Sequence, residues 1–426
     1  MKATNNIFSH FKLKVFTLAL LFVFNSCEKD SVVLIKENLP DISGYPIVGT
    51  NQLTFYNNTT EVTAQNAGDE FYGQNANYPG VTPNYVDNSD GTITDMNTGL
   101  MWQQSFDHNN DGSIDVKDKL SYSELLSLVS NGVSFAGYTD WRLPSIKEMY
   151  SLILFSGRDI SPESTNESGL TPFIDNNTFD FAYGDTDAGE RLIDMQCATS
   201  NVYVSNEVET MIFGVNFADG RIKGYGTASL MGGGEKEFNY LLVRGNAEYG
   251  ENAFINNNDG TITDKASGLM WMQNDNGEAV LWQDALAYAE GKEFAGYSDW
   301  RLPDAKELQS IVDYSRSPAT TISAAIDAKF NCTGITNEAG ENDFPFYWTS
   351  TTHANMSEKP GSAAVYVAFG RSLGNMGNNG WIDIHGAGSQ RSDPKTGNPD
   401  DYAEGHGPQG DAIRIYNYVR LVRNID

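Results

Sequence analysis

The chain has 426 residues, with 28 Lys and Arg against 56 Asp and Glu, which gives a formal net charge of −28. A surface with this charge repels polyanions, so the composition argues against nucleic acid as a partner. Aromatic residues make up 12% of the chain and charged residues only 20%, which favours a folded globular protein over a disordered acidic one.

The amino terminus has the pattern of an export signal. Lysines precede an apolar run from Val15 to Phe24, as in the charged and hydrophobic regions of a signal peptide. Ser26 and Cys27 follow, and this junction resembles the lipobox of bacterial lipoproteins. We therefore predict a lipoprotein signal peptide over residues 1–26, with Cys27 lipidated and its acyl chains holding the protein to a membrane. The alternative is an ordinary signal peptide with an incidental cysteine.

The residues after Cys27 bear on the location of the protein. The acidic run Glu28–Asp30 looks like the surface-export signals of some Gram-negative lineages. Beyond residue 26, no apolar stretch approaches the roughly 20 residues that span a bilayer. The expected location is therefore the outer membrane, with the protein held by its lipid and facing the periplasm or the cell surface, of which the surface is favoured.

Two long stretches of the chain repeat each other motif by motif. Asp90–Asp95 and Asp259–Asp264 are identical, and Gly-Leu-Met-Trp follows each of them. Phe-Ala-Gly-Tyr and Asp-Trp-Arg-Leu-Pro then recur, at 135–144 and at 294–303. Two long copies indicate tandem domains, because a solenoid has shorter and more numerous units. We predict a lead-in segment over 27–80, a first domain over 81–250 and a second domain over 251–426.

Each copy predicts two early helices. The first helix has its inner face at the helical spacing of Tyr122, Leu125, Leu126 and Val129 in one copy and of Trp282, Ala285, Leu286 and Ala289 in the other. The second helix should begin after each Trp-Arg-Leu-Pro, since proline is tolerated in a first turn. Its inner face consists of Met149, Leu152 and Ile153 in one copy and of Leu308, Ile311 and Val312 in the other.

The rest of each copy predicts antiparallel strands. Asp-Gly flanked by Thr-Ile-Thr is typical of a hairpin turn that enters a strand. Later apolar runs such as Met211–Phe217 and Ala363–Phe369 lie between turn signals, as strands do. The expected fold class is α+β, with two helices and a mostly antiparallel sheet in each of two tandem domains.

The repeated motifs resemble the Lcl C-terminal domain family, a domain of unknown function. Besides the motifs above, Tyr347–Thr351 and the closing Val419–Arg423 carry the resemblance, which spans about residues 84–426 in two copies. The second copy is closer, since the first has Cys197–Ser200 where the family has a Trp-Ser-Ser-like motif. The motif order is also similar to that of the fibrobacter major paralogous domain and, more distantly, of formylglycine-generating enzymes. These relatives imply a C-type-lectin-like fold.

The resemblance implies a binding function rather than catalysis. Some domains of this type are adhesin tips that bind sulfated glycans, but such ligands need a basic face and this chain is acidic. We expect a non-enzymatic adhesion module for a glycan or a protein, in which duplication adds avidity. The alternatives are an enzyme of the formylglycine-generating type and a structural component of a surface assembly. The enzyme would need a pair of active cysteines near the domain end, and Cys197 and Cys332 are neither close nor equivalently placed.

The redox state of these two cysteines is open on sequence grounds. A disulfide between Cys197 and Cys332 is possible in an oxidising compartment, and two unpaired buried thiols are at least as compatible with the spacing. Neither cysteine lies near a histidine in the sequence. A cysteine nucleophile therefore has little support.

The first copy carries nine extra residues between Trp102 and Tyr122. They fall on residues 107–118, which place oxygen-bearing side chains at loop positions 1, 3, 5, 9 and 12 and glycine at position 6. This register is typical of a calcium loop, and it resembles dockerin-type loops in ending with Asp. We predict a structural calcium ion. Its ligands are the side chains of Asp107, Asn109, Asp111 and Asp118, the carbonyl of Ser113, and Asp115 either directly or through water.

Both copies also combine Trp-Arg-Leu-Pro with a glutamate. The residues are Trp141, Arg142 and Glu148 in the first copy and Trp300, Arg301 and Glu307 in the second. One interpretation is a ligand site. The other is structural, since a buried tryptophan beside an arginine that pairs with a helix carboxylate is an ordinary way to fix a helix onto a sheet. We favour the structural interpretation.

The second copy is longer near its end. Residues 385–412 are rich in Gly, Asp, Asn and Pro, which predicts an irregular exposed loop on a rigid scaffold. Trp381 and Tyr402 are candidate platforms for sugar rings, with ordinary packing as the favoured role for either.

Overall fold

The computed structural model describes residues 43–160, 164–206, 209–228 and 234–425. The predicted signal peptide, the lipidation site Cys27 and the start of the lead-in segment lie outside the described residues. All described residues belong to one compact unit, which therefore contains both copies. Among them, no helix has the length and apolar character needed to cross a membrane.

The two copies share a common order of elements. The lead-in segment contributes β1 (Phe55–Tyr56), β2 (Glu61–Val62) and a 3-10 helix (Asn75–Asn77). The first copy contributes β3 (Tyr85–Asp87), β4 (Thr92–Asp95), β5 (Leu100–Gln103), a 3-10 helix (Val116–Asp118), β6 (Leu120–Ser121), α1 (Tyr122–Ser130), α2 (Ile146–Ser151), β7 (Gln196–Val202), β8 (Met211–Asn216), β9 (Arg221–Gly226), β10 (Glu237–Phe238) and β11 (Val243–Gly245). The second copy contributes β12 (Phe254–Asn256), β13 (Thr261–Asp264), β14 (Leu269–Met272), α3 (Trp282–Glu290), α4 (Ala305–Ser310), β15 (Ile335–Thr336), β16 (Asn342–Asp343), β17 (Phe346–Thr352), β18 (Ala363–Ala368), β19 (Leu373–Asn375), a 3-10 helix (Gly377–Asn379), β20 (Trp381–Asp383), β21 (Gln390–Pro394), a 3-10 helix (Pro399–Tyr402) and β22 (Val422–Asn424).

Each copy has its own four-stranded antiparallel sheet, which contains both the first and the last strand of that copy. The strand order is β11-β5-β4-β3 in the first copy and β22-β14-β13-β12 in the second. The closing strand pairs with the Gly-Leu-Met-Trp strand in both, with Val243 opposite Trp102 and Val422 opposite Trp271. The Asp-Gly turns connect β3 to β4 and β12 to β13, as the sequence predicts. The two copies therefore have the same chain topology in this part of the fold.

The two copies meet in one six-stranded antiparallel sheet. Its strand order is β17-β18-β21-β9-β8-β7, so the last of three strands from each copy lies at the centre. The central strands are joined where Gln390 of β21 pairs with Ile222 of β9. Because equivalent strands meet in antiparallel orientation, the copies are related by an approximate two-fold axis, as in an isologous dimer. The chain is α+β and rich in sheet.

Side-chain caps start the short helices. Ser145 before α2 and Asp304 before α4 each accept a hydrogen bond from the backbone of the glutamate three residues later, and that glutamate bonds back to the cap nitrogen. This reciprocal capping box defines a helix start even where only six residues follow. Ser121 and Glu124 cap α1 in the same way.

The helices form where the sequence predicts them, but α2 and α4 end at Ser151 and Ser310, and four residues of their predicted inner faces are buried just beyond the helices: Leu152, Ile153, Ile311 and Val312. Trp282, Ala285, Leu286 and Ala289 of α3 are all buried, as predicted. In α1, however, Leu126 is 45% exposed, so its predicted inner position is wrong. By helical spacing Leu126 lies at the edge of the apolar face, and the elements packed against the helix decide whether an edge residue is buried.

The hydrophobic core draws on both copies. Helices α2 and α4 contact each other, and Met149 and Leu308 from these helices belong to one cluster with Trp102 and Trp271. Each of these four side chains is fully buried. Burial of apolar surface is the dominant stabilising contribution to folding. The two copies should therefore unfold together rather than as independent domains.

The expectation of an irregular exposed loop over 385–412 is wrong in its first part. Residues Gln390–Pro394 form β21, and Gln390, Arg391 and Asp393 are buried. Their polar side chains have partners: Gln390 accepts from the Tyr150 hydroxyl at 3.1 Å, and Asp393 accepts from the Asn417 amide at 3.1 Å. A polar strand of this kind carries no hydrophobic alternation, which is the pattern by which strands are predicted.

An ionic cluster is buried at the centre of the six-stranded sheet. Arg221 of β9 pairs with Asp159 at 2.6 Å, and Arg391 of β21 pairs with Asp411. The fully buried His353 lies 4.0 Å from Asp159. Burial, helped by the positive charge of Arg221, lowers the pKa of His353 to about 4. This imidazole is therefore neutral at physiological pH.

Candidate functional site

The second copy holds its Trp-Arg-Leu-Pro arginine in a closed environment. The guanidinium of Arg301 donates to both carboxylate oxygens of Glu307 at 2.6 Å and to the Asn424 amide oxygen at 2.9 Å. The Tyr78 ring lies 5.8 Å from the guanidinium carbon, within reach of a cation–π contact. Trp300 is buried and donates to the carbonyl of Phe294 at 3.1 Å.

The first copy repeats the ion pair but leaves it more open. Arg142 donates to Glu148 through Nη2 at 2.5 Å, while its Nη1 has no hydrogen-bond partner among the described residues. The Arg142 side chain is 36% exposed, against 11% for Arg301. Burial raises the pKa of Glu148. Whether Trp141 and Arg142 serve structure alone or also a ligand is not decided by this pairing, so the structural assignment stays a prediction for both copies.

A cleft lies beside this arginine, between the first copy and the loop that follows α4. The cavity has a volume of about 810 Å³. Its lining includes Arg142 and Lys147, the end of β7 at Asn201 and Val202, and Tyr314 of the second copy. Asn201 fixes the start of α2, since its Oδ1 accepts from the Ile146 backbone at 2.8 Å. The described residues thus form a cleft with donors and acceptors on several sides.

Lys147 forms part of the cleft wall. Its Nζ donates to the carbonyl of Gly250 at 2.9 Å and to the amide oxygen of Asn252 at 2.7 Å. Burial lowers the pKa of Lys147 to about 8. The lysine therefore ties the segment between the copies to the start of α2.

The same geometry recurs in the second copy, where the groove is filled. Ala305 there donates to Thr351 Oγ1 at 3.1 Å, as Ile146 does to Asn201. Ser200 and Ser350 each donate to the proline carbonyl of their own motif at 2.8 Å. The backbones at the ends of β7 and β17 are thus equivalent, and each carries a bulge in its pairing with the next strand.

Gln52 of the lead-in segment fills the groove of the second copy. Its Nε2 donates to the carbonyls of Thr352 and Phe155 at 2.7 and 3.1 Å, and its Oε1 accepts from the Thr352 backbone at 2.9 Å. Asn75 adds an acceptor for Thr351 Oγ1 at 2.8 Å. As a result Thr352 is 0% exposed, whereas Val202, its counterpart in the first copy, is 43% exposed.

Sequence patterns do not point to these lead-in residues. Gln52 and Asn75 belong to no repeated motif and to no hydrophobic period. One sign is present, because residues 47–57 carry no charged side chain although the chain is strongly acidic. An uncharged segment of this kind can be buried if its amides are paired.

The predicted calcium loop adopts a compact turn stabilised by its own oxygens. Asp107 accepts from the backbone of Gly112 at 2.9 Å, and Asn109 accepts from the backbone of Asp111 at 2.8 Å. Gly112 has φ +88, the left-handed conformation for which glycine is suited. Asp118 is 3% exposed, and its carboxylate accepts from the backbones of residues 108, 109 and 115 at 2.8 to 3.1 Å.

The donor set of this loop fits calcium in chemistry more than in arrangement. All predicted ligands are oxygens, which calcium prefers. The Asp115 carboxylate, however, pairs with Lys117 at 2.7 Å, and among the described residues no group of three or more Asp, Glu, His or Cys side chains is placed to hold a metal ion. Direct coordination of calcium by Asp115 would need Lys117 to leave that carboxylate. The calcium site stays a prediction.

The other predicted features lie apart from the cleft lining. Trp381 on β20 and Tyr402 in its 3-10 helix are both half-buried, and the Tyr402 ring makes an edge contact with His406 at 5.6 Å between centroids. Cys197 and Cys332 are both free thiols, so the open question of a disulfide is answered in favour of unpaired cysteines. Burial raises the pKa of Cys197, which keeps it a thiol.

Comparison with known proteins supports the duplication. A family model described as the Lcl C-terminal domain matches residues 91–243 and 260–382, more than half of the chain. The two matched stretches correspond to the two copies that share the central sheet. Comparison with curated proteins and with solved structures finds no significant match.

Proposed function

Because the chain belongs to the Lcl C-terminal domain family and carries this domain twice, we propose that it is a non-enzymatic envelope protein that binds a glycan or a protein ligand. It is exported, lipidated at Cys27 and held at the outer membrane, with the cell surface as the favoured location. The cleft beside Arg142 is the binding site. One observation carries this proposal: the described residues leave this groove open in the first copy and fill its counterpart in the second.

The size and chemistry of the cleft support a binding role. Its volume of about 810 Å³ falls within the range of about 300–1,000 Å³ that is typical of ligand pockets. The Arg142 side chain is 36% exposed, and Val202 offers an exposed strand end. These groups suit a neutral polar ligand, since a guanidinium donates hydrogen bonds and the strand end adds backbone groups.

We include a C-type-lectin-like fold in this proposal. In each copy two helices lie between the first three strands and the later antiparallel strands, and the first and last strands lie in one sheet. This arrangement brings the two ends of a copy together and supports the fold that the resemblance implies. A structural calcium ion held by Asp107, Asn109, Asp111, Ser113, Asp115 and Asp118 also belongs to the proposal, with the oxygen-only donor set as its support.

The binding proposal is tested on the soluble chain, residues 28–426, with glycan arrays and with candidate envelope proteins. Val202→Trp places a large side chain in the cleft and should abolish binding of any ligand that wild type retains. Leu126→Trp is the matched control, because Leu126 is 45% exposed on α1 and does not line the cleft. Equal binding by both variants would place the site elsewhere.

The anchor is tested separately in cells. Cys27→Ser should release the protein from the membrane fraction and remove labelling by a fatty-acid probe. Protease added to intact cells should degrade the anchored wild type if it faces outward. Retention of the Cys27→Ser protein in membranes would contradict lipid anchoring.

A further inference from the structure

The filled groove of the second copy shows how this scaffold binds a polypeptide. Gln52 bonds only to backbone groups there: the nitrogen and carbonyl of Thr352 and the carbonyl of Phe155. Side-chain identity in the groove therefore contributes nothing to these three bonds. Any equivalent backbone with the same groups exposed offers the same three partners to a carboxamide.

The first copy presents the equivalent backbone groups. Val202 pairs with Ile212 as Thr352 pairs with Ala364. The next residue, Tyr203, donates from its backbone to the Met211 carbonyl at 2.8 Å, and His353 donates in the same way to the Ala363 carbonyl at 3.0 Å in the second copy. In antiparallel pairing, a residue next to a hydrogen-bonded position directs its own nitrogen and carbonyl away from the partner strand. The backbone of Val202 therefore faces the cleft.

The third partner is also present. Phe155 lies seven residues after Glu148, and Tyr314 lies seven residues after Glu307. Because the two copies are related by an approximate two-fold axis, the Tyr314 carbonyl takes the same position at the groove of the first copy that the Phe155 carbonyl takes at the groove of the second. Tyr314 and Val202 both line the cleft.

The charge of the cleft limits what enters it. Glu251, Asp313 and Asp327 line it in addition to Lys147 and the pair of Arg142 and Glu148, so carboxylates outnumber cations in the lining. An acidic ligand would be repelled by these carboxylates. The segment seated in the second copy, residues 47–57, carries no charged side chain, which matches a groove that is read mainly through its backbone.

We propose that the cleft of the first copy binds an uncharged polypeptide segment of a partner protein, with a glutamine or asparagine carboxamide bridging the backbones of Val202 and Tyr314. This inference rests on the proposed binding function and selects a protein ligand over a glycan. Recognition through the backbone of a strand end gives affinity, and the pocket for the carboxamide gives specificity.

The test uses the soluble chain and a labelled peptide with the sequence of residues 47–57. Fluorescence anisotropy should show saturable binding to wild type, and replacement of the glutamine in the peptide by alanine should weaken it at least tenfold. Val202→Trp in the protein should abolish binding, while Leu126→Trp should leave it unchanged. Because the peptide variant is measured on wild-type protein, the test does not depend on the folding of any mutant.

Four outcomes would overturn the inference, and they separate it from the proposed function. Peptide binding that survives Val202→Trp would indicate exchange with the filled groove of the second copy. Glycan binding that is lost in Val202→Trp, without peptide binding to wild type, would leave the proposed function standing with a glycan ligand. Absence of both would remove the cleft as a binding site. Self-association lost in Val202→Trp, measured by ultracentrifugation, would make the occupant a second copy of this chain.

Discussion

The grooves of the two copies share one backbone geometry and differ in what covers them. In the second copy, Gln52 and Asn75 of the lead-in segment make Thr352 inaccessible. In the first copy, Val202 is 43% exposed and the Arg142 side chain is 36% exposed. Duplication thus produces two equivalent surfaces, and a single lead-in segment covers only one of them. One copy serves stability at this surface, and the other is available to a ligand.

The largest difference between the copies should appear at the first residue of the early helix. Trp282 is fully buried, stacks on Phe71 and lies 3.7 Å from the Lys395 ammonium. Trp282→Ala should lower the free energy of unfolding by about 4 kcal/mol, as is typical for a buried large aromatic residue. Tyr122→Ala in the first copy should cost about 2 kcal/mol, because no lead-in residue that the structure describes belongs to the apolar cluster around Tyr122. Urea denaturation measures both, and equal losses would show that the lead-in segment adds little.

The next largest difference in stability should be between variants of the two Trp-Arg-Leu-Pro arginines, Arg301 and Arg142. Arg301→Ala leaves Glu307 buried without its partner, and the expected loss is about 3–4 kcal/mol. Arg142→Ala should cost about 1–2 kcal/mol, since the Arg142 side chain is 36% exposed and water can take its place beside the buried Glu148 carboxylate. Denaturation of both variants gives these values. Ligand binding at the cleft should survive Arg301→Ala, and a variant that melts normally but has lost binding would contradict the structural role of Arg301.

Removing the Gln52 carboxamide tests whether this side chain holds the lead-in segment over the groove of the second copy. Gln52→Ala leaves three backbone groups unpaired in a buried groove, and we expect a loss of about 2–3 kcal/mol. Gln65 is the matched control, because its amide bonds only to the nearby Thr63 carbonyl at an exposed position. Gln65→Ala should change stability by less than about 0.5 kcal/mol. Similar losses for both variants would mean that Gln52 does not hold the cover in place.

The free energy of unfolding should depend on pH through His353, which lies where the two copies share the central sheet. The pKa of His353 is lowered to about 4 in the folded chain, so the unfolded state binds its proton first as pH falls from about 6.5. His353 therefore contributes stability that is complete above pH 6.5 and is lost toward pH 4. The cost of His353→Gln, measured by urea denaturation, should shrink by about 2 kcal/mol between pH 7 and pH 5.

Wild type alone does not isolate this effect. Burial raises the pKa of Asp383 and of Asp393 to about 6. The stability that such groups contribute to the folded chain is lost as pH rises through that value. Their contribution therefore changes with pH in the opposite direction to that of His353. The difference between His353→Gln and wild type removes these common contributions, and a constant difference from pH 7 to pH 5 would contradict the buried neutral imidazole.

The smallest expected effect concerns the insertion that only the first copy has. Calcium at about ten times its dissociation constant should stabilise the chain by about 1.4 kcal/mol. Replacing Asp107 and Asp111 together with alanine should abolish that gain, whereas Asp401→Ala, at an exposed position outside the loop, should keep it. Calorimetry with calcium and with chelator measures the shift. Identical melting of wild type under both conditions would eliminate the site.

The sequence by itself determined the duplication, the Asp-Gly hairpins and the starts of the helices. The duplication follows from comparing the two copies, and the turns and helix starts depend on residues close together in the chain: a turn at Asp90–Gly91, or a cap at Ser145 with Glu148 three residues later. Short-range patterns of this kind are visible in any single copy. Their agreement between two copies strengthens each prediction, and the exposed Leu126 shows that periodicity leaves the edge of a face undecided.

Only the tertiary structure decided how the copies share one sheet and which groove is covered. The strand Gln390–Pro394 has buried polar residues with distant partners, so it lacks the alternation that marks a strand. Gln52 and Thr352 are 300 residues apart in the chain. A contact over that separation leaves no local pattern in the sequence. The two grooves have equivalent backbones, so only the arrangement of the whole fold decides which of them the lead-in segment covers.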